Sequence, residues 1–265
     1  METYIPLKTK PEILKISQTC TLVNRVLRDA AQFFKSGCTP MDLDRFCLRE
    51  IGKAGGICAL AGYKGFRGNA CISVNQIAAH GIPDTRAFVS GDIVTLDVTV
   101  SLSGWHGDAA WTYLVGKAVP ERRRLVNAAW KAMLAGIKAA KAGNRMGDIG
   151  FAVQKAAIDS GCTVISCFAG HGIGKELHEE PSVLFKGNRG SGRPIVPGMV
   201  FTIEPVLTLG KDSVRILSDG WSAVTNDSSV TAQFEQTIAV QSDRTLVLGT
   251  PAEMIRDNPF QPPFY

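Results

Sequence analysis

The 265-residue sequence is poor in histidine and lacks any apolar run long enough to cross a membrane. With four histidines in the whole chain, a site built from several imidazoles would have to use most of them. A transmembrane helix needs about 18 or more consecutive apolar residues, and no segment approaches that length. The N-terminal stretch METYIPLKTKPEILK has no apolar core of a secretory signal. These absences predict a folded cytoplasmic protein that does not enter a membrane.

The seven cysteines contain no CxxC pair and are odd in number. A zinc ribbon or a disulfide framework needs paired cysteines at regular spacings, so the sequence favours reduced, mostly buried thiols. No zinc-finger or RNA-binding motif occurs, and a net charge of +5 is weak evidence for an acidic partner. The run Arg122–Arg124 is more typical of a solvated helix start than of a nucleic-acid site. We therefore expect no sequence-specific nucleic-acid binding.

The sequence does contain a pattern of helices followed by strands that occurs twice. Hydrophobic periodicity and helix start and stop signals predict a helix over 11–36, a helix from Thr39-Pro40 to about Lys53, strands over 71–115, helices over 121–142 and 148–160, and strands to about residue 248. The last residues, NPFQPPFY, are Pro-rich and predict an extended or disordered tail.

A short internal match supports a duplication. GDIVTLD (91–97) and GMVFTIE (198–204) share the order glycine, one unmatched residue, two apolar residues, threonine, one apolar residue and an acid. We therefore expect two related halves, about 10–118 and 119–248, each of which ends an apolar strand on a carboxylate.

The first of these carboxylates, Asp97, lies on the polar face of a strand whose other face is apolar. The chain then turns and returns through WHGDAAWTYLV, which carries Asp108. If the hairpin is centred between Leu102 and Ser103, the two acids are direct cross-strand neighbours with Cβ atoms about 5 Å apart. A longer loop would shift the register, and an even shift keeps both acids on one face. Such a pair requires either protonation of one acid or a cation between them.

The second half repeats this pattern with Glu204 in VFTIE and Glu235 in TAQFEQT. A single acid on a strand is usually a solvent-facing edge charge. Four acids on polar faces, three of them with a threonine two residues away, make that interpretation weaker. Together with His171 in the glycine-rich GHGIG they form a set of four carboxylates and one imidazole. Two divalent cations would neutralise this set, with carboxylates bridging them.

These segments resemble a type I methionine aminopeptidase of the pita-bread fold, peptidase family M24. The resemblance runs from about residue 10 to 248 and rests on NACISVNQIAAHGIP (69–83), GDIVTLDVTV (91–100), WHGDAAWTYLVG (105–116), GHGIGKELHEEP (170–181), VFTIEP (200–205) and TAQFEQT (231–237). It implies an α+β fold of two pseudo-symmetric helix-helix-β halves around a curved antiparallel sheet. One catalytic domain would cover 1–250, followed by the Pro-rich tail 251–265. With no long insertion between the ligand segments and no N-terminal zinc-binding extension, we expect type I rather than type II.

The resemblance also implies an activity and its cofactors. The enzyme would remove the N-terminal methionine from nascent or newly made proteins with a small second residue, using a water activated between two divalent ions. The ions would be Co, Mn, Fe or Zn, with the native metal left open. Asp108 and Glu235 would bridge the two ions, Asp97 would chelate one, and His171 and Glu204 would complete the shell of the other.

Other family positions concern the substrate. Glu204 would move the proton of the water, His178 would donate to the oxyanion, and His80 would contact the scissile amide nitrogen. The residues that would surround the substrate are His80, His178, Tyr63, Cys71, Leu177 and Trp221. His106, in WHGD, has no ligand match and is interpreted as a structural or loop histidine.

The sequence departs from the best-known bacterial pattern at several positions. Lys64 and Gln236 stand where histidine is usual, Leu177 where a phenylalanine lines the methionine pocket, and VLFK (183–186) where a His-Tyr ending is common. None is a ligand position. We expect altered pocket shape, substrate preference and turnover, as in a divergent or second copy of the enzyme.

Alternatives remain open from the sequence. A related pita-bread enzyme could act before proline, although such enzymes usually carry an extra N-terminal domain. A non-catalytic binding member of the fold is a second alternative, although such relatives tend to lose ligands. The basic surface near Arg122–Arg124 could also dock the chain, expected to be a monomer, on ribosomal RNA.

Overall fold

The computed structural model of the protein describes residues 4–249. The segment 251–265, predicted to be a Pro-rich tail, lies outside the described residues. Within 4–249, helices and strands follow the twice-repeated order predicted from the sequence. None of the helices in this range is long and apolar enough to cross a membrane.

The four α-helices begin and end close to the predicted positions. They are α1 (Lys10–Asp29), α2 (Pro40–Lys53), α3 (Pro120–Ala139) and α4 (Met146–Asp159). The helix predicted over 11–36 is shorter than expected, because the chain tightens into a 3-10 helix at Ala30–Phe33. Gly37 then ends this segment with a φ of +94°, a conformation that glycine adopts without steric cost.

Helices α2 and α4 begin with the same capping arrangement. The Asp42 carboxylate accepts a hydrogen bond from the Thr39 N–H at 2.9 Å. The Asp148 carboxylate accepts one from the Arg145 N–H at 2.8 Å. Both interactions satisfy a backbone donor that a helix start would otherwise leave unpaired.

The strands are short except for one long hairpin in the first half. The first half contains β1 (Ile57–Cys58), β2 (Cys71–Val74), β3 (Ile77–Ala79), β4 (Ile93–Leu102) and β5 (Trp105–Leu114). The second half contains β6 (Thr163–Val164), β7 (Ala169–Gly172), β8 (Glu179–Leu184), β9 (Val200–Ile203), β10 (Val206–Thr208), β11 (Val214–Ile216), β12 (Ala223–Thr225), β13 (Thr231–Gln233), β14 (Gln236–Val240) and β15 (Thr245–Val247). A separate 3-10 turn covers Tyr63–Gly65.

All strand pairs in the described residues are antiparallel, and they form four patches. The orders are β1-β4-β2 with β5 also paired to β4, then β13-β10-β6, β11-β12-β3 and β15-β14-β9-β7-β8. β12 of the second half pairs with β3 of the first, so the halves share one patch.

The register of the β4–β5 hairpin corrects the sequence prediction. Asp97 faces Ala110 across the hairpin, and Asp108 faces Thr99. The turn is Ser103-Gly104, with φ values of +52° and +77°. A two-residue turn that matches strand twist needs positive φ at both central positions. Ser103 and Gly104 both meet this requirement, whereas the predicted turn would need a positive φ at Leu102. The shift is even, so both acids stay on the same face, as the sequence allowed.

The opposite face of β4 is buried in the main core, as predicted. Val94, Leu96, Val98 and Val100 are all fully buried there, and Leu27 of α1 belongs to the same cluster. The helices therefore cover the apolar side of the sheet and leave the polar side free to line a site.

The two halves repeat in length as well as in order. Helices α1 and α3 each contain 20 residues, and α2 and α4 each contain 14. Hydrogen bonds join the halves at the polar face of β5: the Glu235 N–H donates to the Ala110 oxygen at 2.8 Å, and the Thr112 hydroxyl donates to the Gln233 oxygen at 2.6 Å. The acids of both halves are thereby brought to one place.

Candidate metal centre

One cavity of about 370 Å³ lies on the polar side of the sheet, where the two halves meet. The site residues predicted from the sequence all line it: Tyr63, Cys71, His80, Asp97, Asp108, His171, Leu177, His178, Glu204, Trp221 and Glu235. His106 is not among the lining residues, and its backbone N–H donates to the Gly174 oxygen at 2.8 Å.

The two aspartates project from the β4–β5 hairpin into this cavity. The Thr99 hydroxyl donates to Asp108 Oδ1 at 3.0 Å. Asp97 Oδ1 is buried and has no hydrogen-bond partner among the described residues. A buried carboxylate oxygen without a partner costs free energy unless a cation or donor occupies the space before it.

The two glutamates follow strands rather than lying within them. Glu204 comes directly after β9, and Glu235 lies between β13 and β14. These breaks in the sheet turn both side chains into the cavity. The Thr202 hydroxyl donates to Glu204 Oε1 at 2.6 Å, whereas Glu235 Oε1 is buried without a partner among the described residues.

His171 lies on β7 and completes the set of donor atoms. Its Nδ1 lies 3.0 Å from the Gly172 oxygen, so Nδ1 carries the proton and donates it. Its Nε2 lone pair then points to the acids, 3.8 Å from Asp108 Oδ2 and 3.6 Å from Glu204 Oε1. One ligand atom each from Asp108, His171 and Glu235 lies within 4.8 Å of the others.

Burial governs the titration of these groups. It raises the pKa of Asp97 to about 7 and that of Glu204 to about 8, despite the hydroxyl of Thr202. Burial and neighbouring carboxylates raise the pKa of Asp108 and Glu235 well above their usual range. Burial, and then the charge of His178, lowers the pKa of His171 to about 4.

This donor set fits divalent metal ions. Packed carboxylates that resist ionisation need a positive charge among them, and a neutral imidazole with its free nitrogen turned inward is a metal ligand. Asp97 and Glu235 each have a buried oxygen without a partner among the described residues, and both residues line this cavity. Oxygen donors with one imidazole suit Mn, Fe, Co or Zn.

The remaining cavity wall mixes aromatic and apolar side chains with polar ones such as Glu180 and Ser182. Tyr63 Oη lies 3.0 Å from His178 Nδ1, and the rings of His171 and His178 approach to 4.3 Å between centroids. His80 packs edge-on against Phe168 at 5.8 Å and Trp221 at 6.0 Å.

This wall also includes residues that were not anticipated from the sequence. Phe168 and the exposed Cys167 line the cavity just before GHGIG. Their proximity to that motif is the only signal that could have identified them. The buried cysteines, in contrast to Cys167, fit the prediction of reduced core thiols.

Three of the positions that depart from the best-known bacterial pattern differ in their distance from the cavity. Leu177 is buried in the wall of the cavity. Lys64 is exposed beside Tyr63, with Nζ 5.2 Å from the ring centroid, and its charge contributes to the lowered pKa of His178 after burial. Gln236 lies behind the cavity, where its Nε2 donates to Asn24 Oδ1 at 3.3 Å.

Comparisons with known proteins agree with this geometry. The chain is 39% identical over 249 residues to methionine aminopeptidase A of Synechocystis sp., covering 94% of this chain and 98% of that relative. Its structure matches the crystal structure of methionine aminopeptidase from Rickettsia prowazekii with a TM-score of 0.92 and 35% identity, covering 93% of this chain and 100% of that one.

A more distant match shows the fold alone. The prolidase from Pyrococcus furiosus has a TM-score of 0.72 at 18% identity, and this chain covers 65% of its length. These matches confirm the predicted pita-bread fold. The family model of metallopeptidase family M24 matches residues 15–242. Most of the chain is covered by that match, and the chain therefore belongs to metallopeptidase family M24.

Proposed function

We propose that the chain removes the N-terminal methionine from peptides and newly made proteins, favours a small second residue, and uses two divalent metal ions. One observation carries this proposal: four buried carboxylates and one imidazole converge in a single cavity, and two of the carboxylate oxygens have no partner among the described residues. The names of the relatives support the choice of methionine as the residue removed.

Five residues would hold the ions. By resemblance, these would be Asp97, Asp108, His171, Glu204 and Glu235, with carboxylate oxygens and one imidazole nitrogen as the ligand atoms. When bound, the ions supply Lewis acidity and lower the pKa of a water in the site. The hydroxyls of Thr99 and Thr202 hold Asp108 and Glu204 in position through the hydrogen bonds described above.

The protein's own residues would move the protons. Glu204 would take a proton from the attacking water and pass it to the departing amine, so that it starts and ends the cycle ionised. If the Tyr63 hydroxyl donates to His178 Nδ1, the proton of that imidazole lies on Nε2, which can then donate to the carbonyl oxygen as it gains charge. His80 would contact the scissile amide nitrogen, and Tyr63, Cys71, Leu177 and Trp221 would enclose the methionine side chain.

The same proposal includes the organisation of the chain. We place both pseudo-halves, 10–118 and 119–248, in one catalytic domain over 1–250 that acts as a cytoplasmic monomer. The hydrogen bonds between β5 and the β13–β14 segment support a single unit.

The proposal also includes docking on ribosomal RNA through the run Arg122–Arg124. Arg122 donates to the Gly91 oxygen and to Asn75 Oδ1, and Arg123 donates to the Ala118 oxygen. Of this run, Arg124 is the exposed residue left for a phosphate. Co-sedimentation with ribosomes at low salt, lost at high salt, is the expected result; no co-sedimentation at low salt contradicts docking.

A two-peptide assay tests the activity. The protein, loaded in turn with Mn²⁺, Fe²⁺, Co²⁺ or Zn²⁺, should release methionine from Met-Ala-Ser and leave an Xaa-Pro peptide intact. Cleavage of the Xaa-Pro peptide alone would favour an enzyme acting before proline. Cleavage of neither peptide, together with failure to bind any of the ions, would favour a non-catalytic member of the fold.

A further inference from the structure

A second cavity of about 410 Å³ adjoins the metal centre, and the proposed function does not use it. It lies between the start of α4, the strand β8 and the loop 187–193. Its wall includes Met146, Pro181, Leu184, Lys186, Asn188 and Arg193. Glu180 and Ser182 line both cavities, so the two cavities are neighbours along β8.

Strand β8 provides a path between the two cavities. It is the outermost strand of the patch β15-β14-β9-β7-β8. Alternate residues of a strand share a face: Pro181 and Val183 are buried, whereas Glu180, Ser182 and Leu184 are partly or largely exposed. At about 3.3 Å per residue, Glu180 and Leu184 are about 13 Å apart. Leu184, with 57% of its surface exposed, is an apolar side chain without cover at the far end.

The far wall of the second cavity is braced. Arg145 Nη1 donates to the Gly192 oxygen at 2.7 Å, and the Gly190 N–H donates to Asp148 Oδ1 at 2.8 Å. A Cβ added at Gly150 would lie 2.8 Å from the Leu184 oxygen, so α4 packs directly against β8. The cavity is therefore a preformed feature, which lowers the cost of ordering a ligand.

We propose that β8 and the second cavity bind the downstream part of the substrate polypeptide, with an apolar side chain at about the sixth position packed on Leu184. The inference rests on the proposed function. With its amino end enclosed by the metal centre, a long substrate must leave the first cavity, and the lining that both cavities share at Glu180 and Ser182 offers an exit. An extended chain covers the distance to Leu184 in about four residues beyond the second.

The test compares substrate length in matched variants. Steady-state kinetics would be measured with Met-Ala-Ser, with an octapeptide that begins Met-Ala-Ser and carries leucine at position six, and with the same octapeptide carrying serine there. The variants are Leu184→Ser and the control Leu48→Ser, which changes a leucine of similar exposure, 52%, on α2. Because both leucines are largely exposed, neither substitution should impair folding.

We expect the leucine octapeptide to have a lower KM than the serine octapeptide in the unmodified protein. Leu184→Ser should raise that KM by about fivefold to thirtyfold with kcat unchanged, because the contact binds ground and transition states alike. Met-Ala-Ser kinetics should stay the same in both variants, and Leu48→Ser should behave as the unmodified protein does.

Three results would overturn the inference while Met-Ala-Ser is still cleaved. The first is an equal KM for the leucine and serine octapeptides in the unmodified protein. The second is a KM difference between these octapeptides that Leu184→Ser leaves intact. The third is an equal loss of activity of Leu184→Ser on the tripeptide and the leucine octapeptide. If the cavity receives a second copy of this chain instead, Leu184→Ser will change the sedimentation coefficient and leave the peptide preference intact. If the unmodified protein cleaves no methionyl peptide, the proposed function fails first and the inference fails with it.

Discussion

His171 and His178 belong to one short segment, and their rings approach to 4.3 Å, yet their nitrogens face different partners. His171 turns its unprotonated Nε2 to the carboxylates, because its Nδ1 donates to the Gly172 oxygen. His178 has its Nδ1 on the Tyr63 hydroxyl. The surroundings of each ring support the proposal that His171 serves the metal side of the cavity and His178 the substrate side.

Substitution of each histidine should separate these roles. His171→Ala should lower the bound metal content, because one ligand of the site is lost. His178→Ala should keep the metal and lower kcat by about 100-fold to 1,000-fold, the usual cost of removing one oxyanion donor. Metal analysis after gel filtration and steady-state kinetics on Met-Ala-Ser check both. Equal metal loss in the two variants would contradict the assignment.

The buried carboxylates also predict how the metal-free protein responds to pH. The pKa of Asp97 rises from 3.8 to about 7, and that of Glu204 rises from 4.5 to about 8. At a pH between the ordinary pKa and the raised pKa of each group, the folded chain keeps a proton that the unfolded chain has released. The free energy of unfolding therefore falls as pH rises through this range. Urea denaturation of the metal-free protein should give higher stability at pH 5 than at pH 8.

Divalent metal should reverse this trend. A bound cation stabilises the ionised carboxylates, and its contribution therefore grows with pH. The increase in Tm on adding Mn²⁺ should be larger at pH 8 than at pH 5. A metal-free protein that becomes more stable toward pH 8 would contradict the burial of ionisable carboxylates in this cavity.

Among the elements, the β4–β5 hairpin shows what could be predicted from the sequence. Alternation of polar and apolar residues placed Asp97 and Asp108 on one face correctly, because that pattern depends on local geometry. The register was wrong by two residues, since the turn at Ser103-Gly104 selects it through positive φ values. Glu204 lies directly after β9, as expected of a carboxylate that ends an apolar strand, whereas Asp97 lies within β4 rather than at its end and Glu235 lies between β13 and β14.

The segment before α1 carries a contact that no local pattern indicates. Lys8 forms an ion pair with Glu179, and the two side chains are 6% and 9% exposed. The Lys8 N–H also donates to the Gly198 oxygen at 2.7 Å. This contact joins the start of the chain to the residue that follows His178, so it holds one side of the cavity wall in place.

Removal of the lysine charge should destabilise the protein. Lys8→Met leaves Glu179 buried without its cation, which costs about 3 to 5 kcal/mol of unfolding free energy. Lys8→Arg keeps the charge and should cost less. Urea denaturation of the two variants and the unmodified chain checks the order. Equal stability of Lys8→Met and the unmodified protein would show that the pair does not hold this segment.

At the level of the whole molecule, the repeated halves explain why a single centre forms. Each half supplies two of the acids, and hydrogen bonds from Glu235 to Ala110 and from Thr112 to Gln233 bring their polar faces together. The helices cover the opposite faces, so the carboxylates collect at the junction. The repeat in the sequence indicated both pairs of acids. The distance between the two pairs could not be predicted, because it depends on contacts between segments far apart in the chain, and hydrophobic periodicity reports only local structure.

We propose that metal held by these carboxylates drives release of the N-terminal methionine. The most direct measurement is methionine release from Met-Ala-Ser by the metal-loaded protein and by Asp97→Asn. Asp97 has an unpartnered buried oxygen, and the amide retains its size while removing the charge. We expect release by the unmodified protein and a fall of about 100-fold or more in kcat/KM for Asp97→Asn, which is about 2.7 kcal/mol. Full activity of Asp97→Asn would contradict a metal-dependent reaction at these carboxylates.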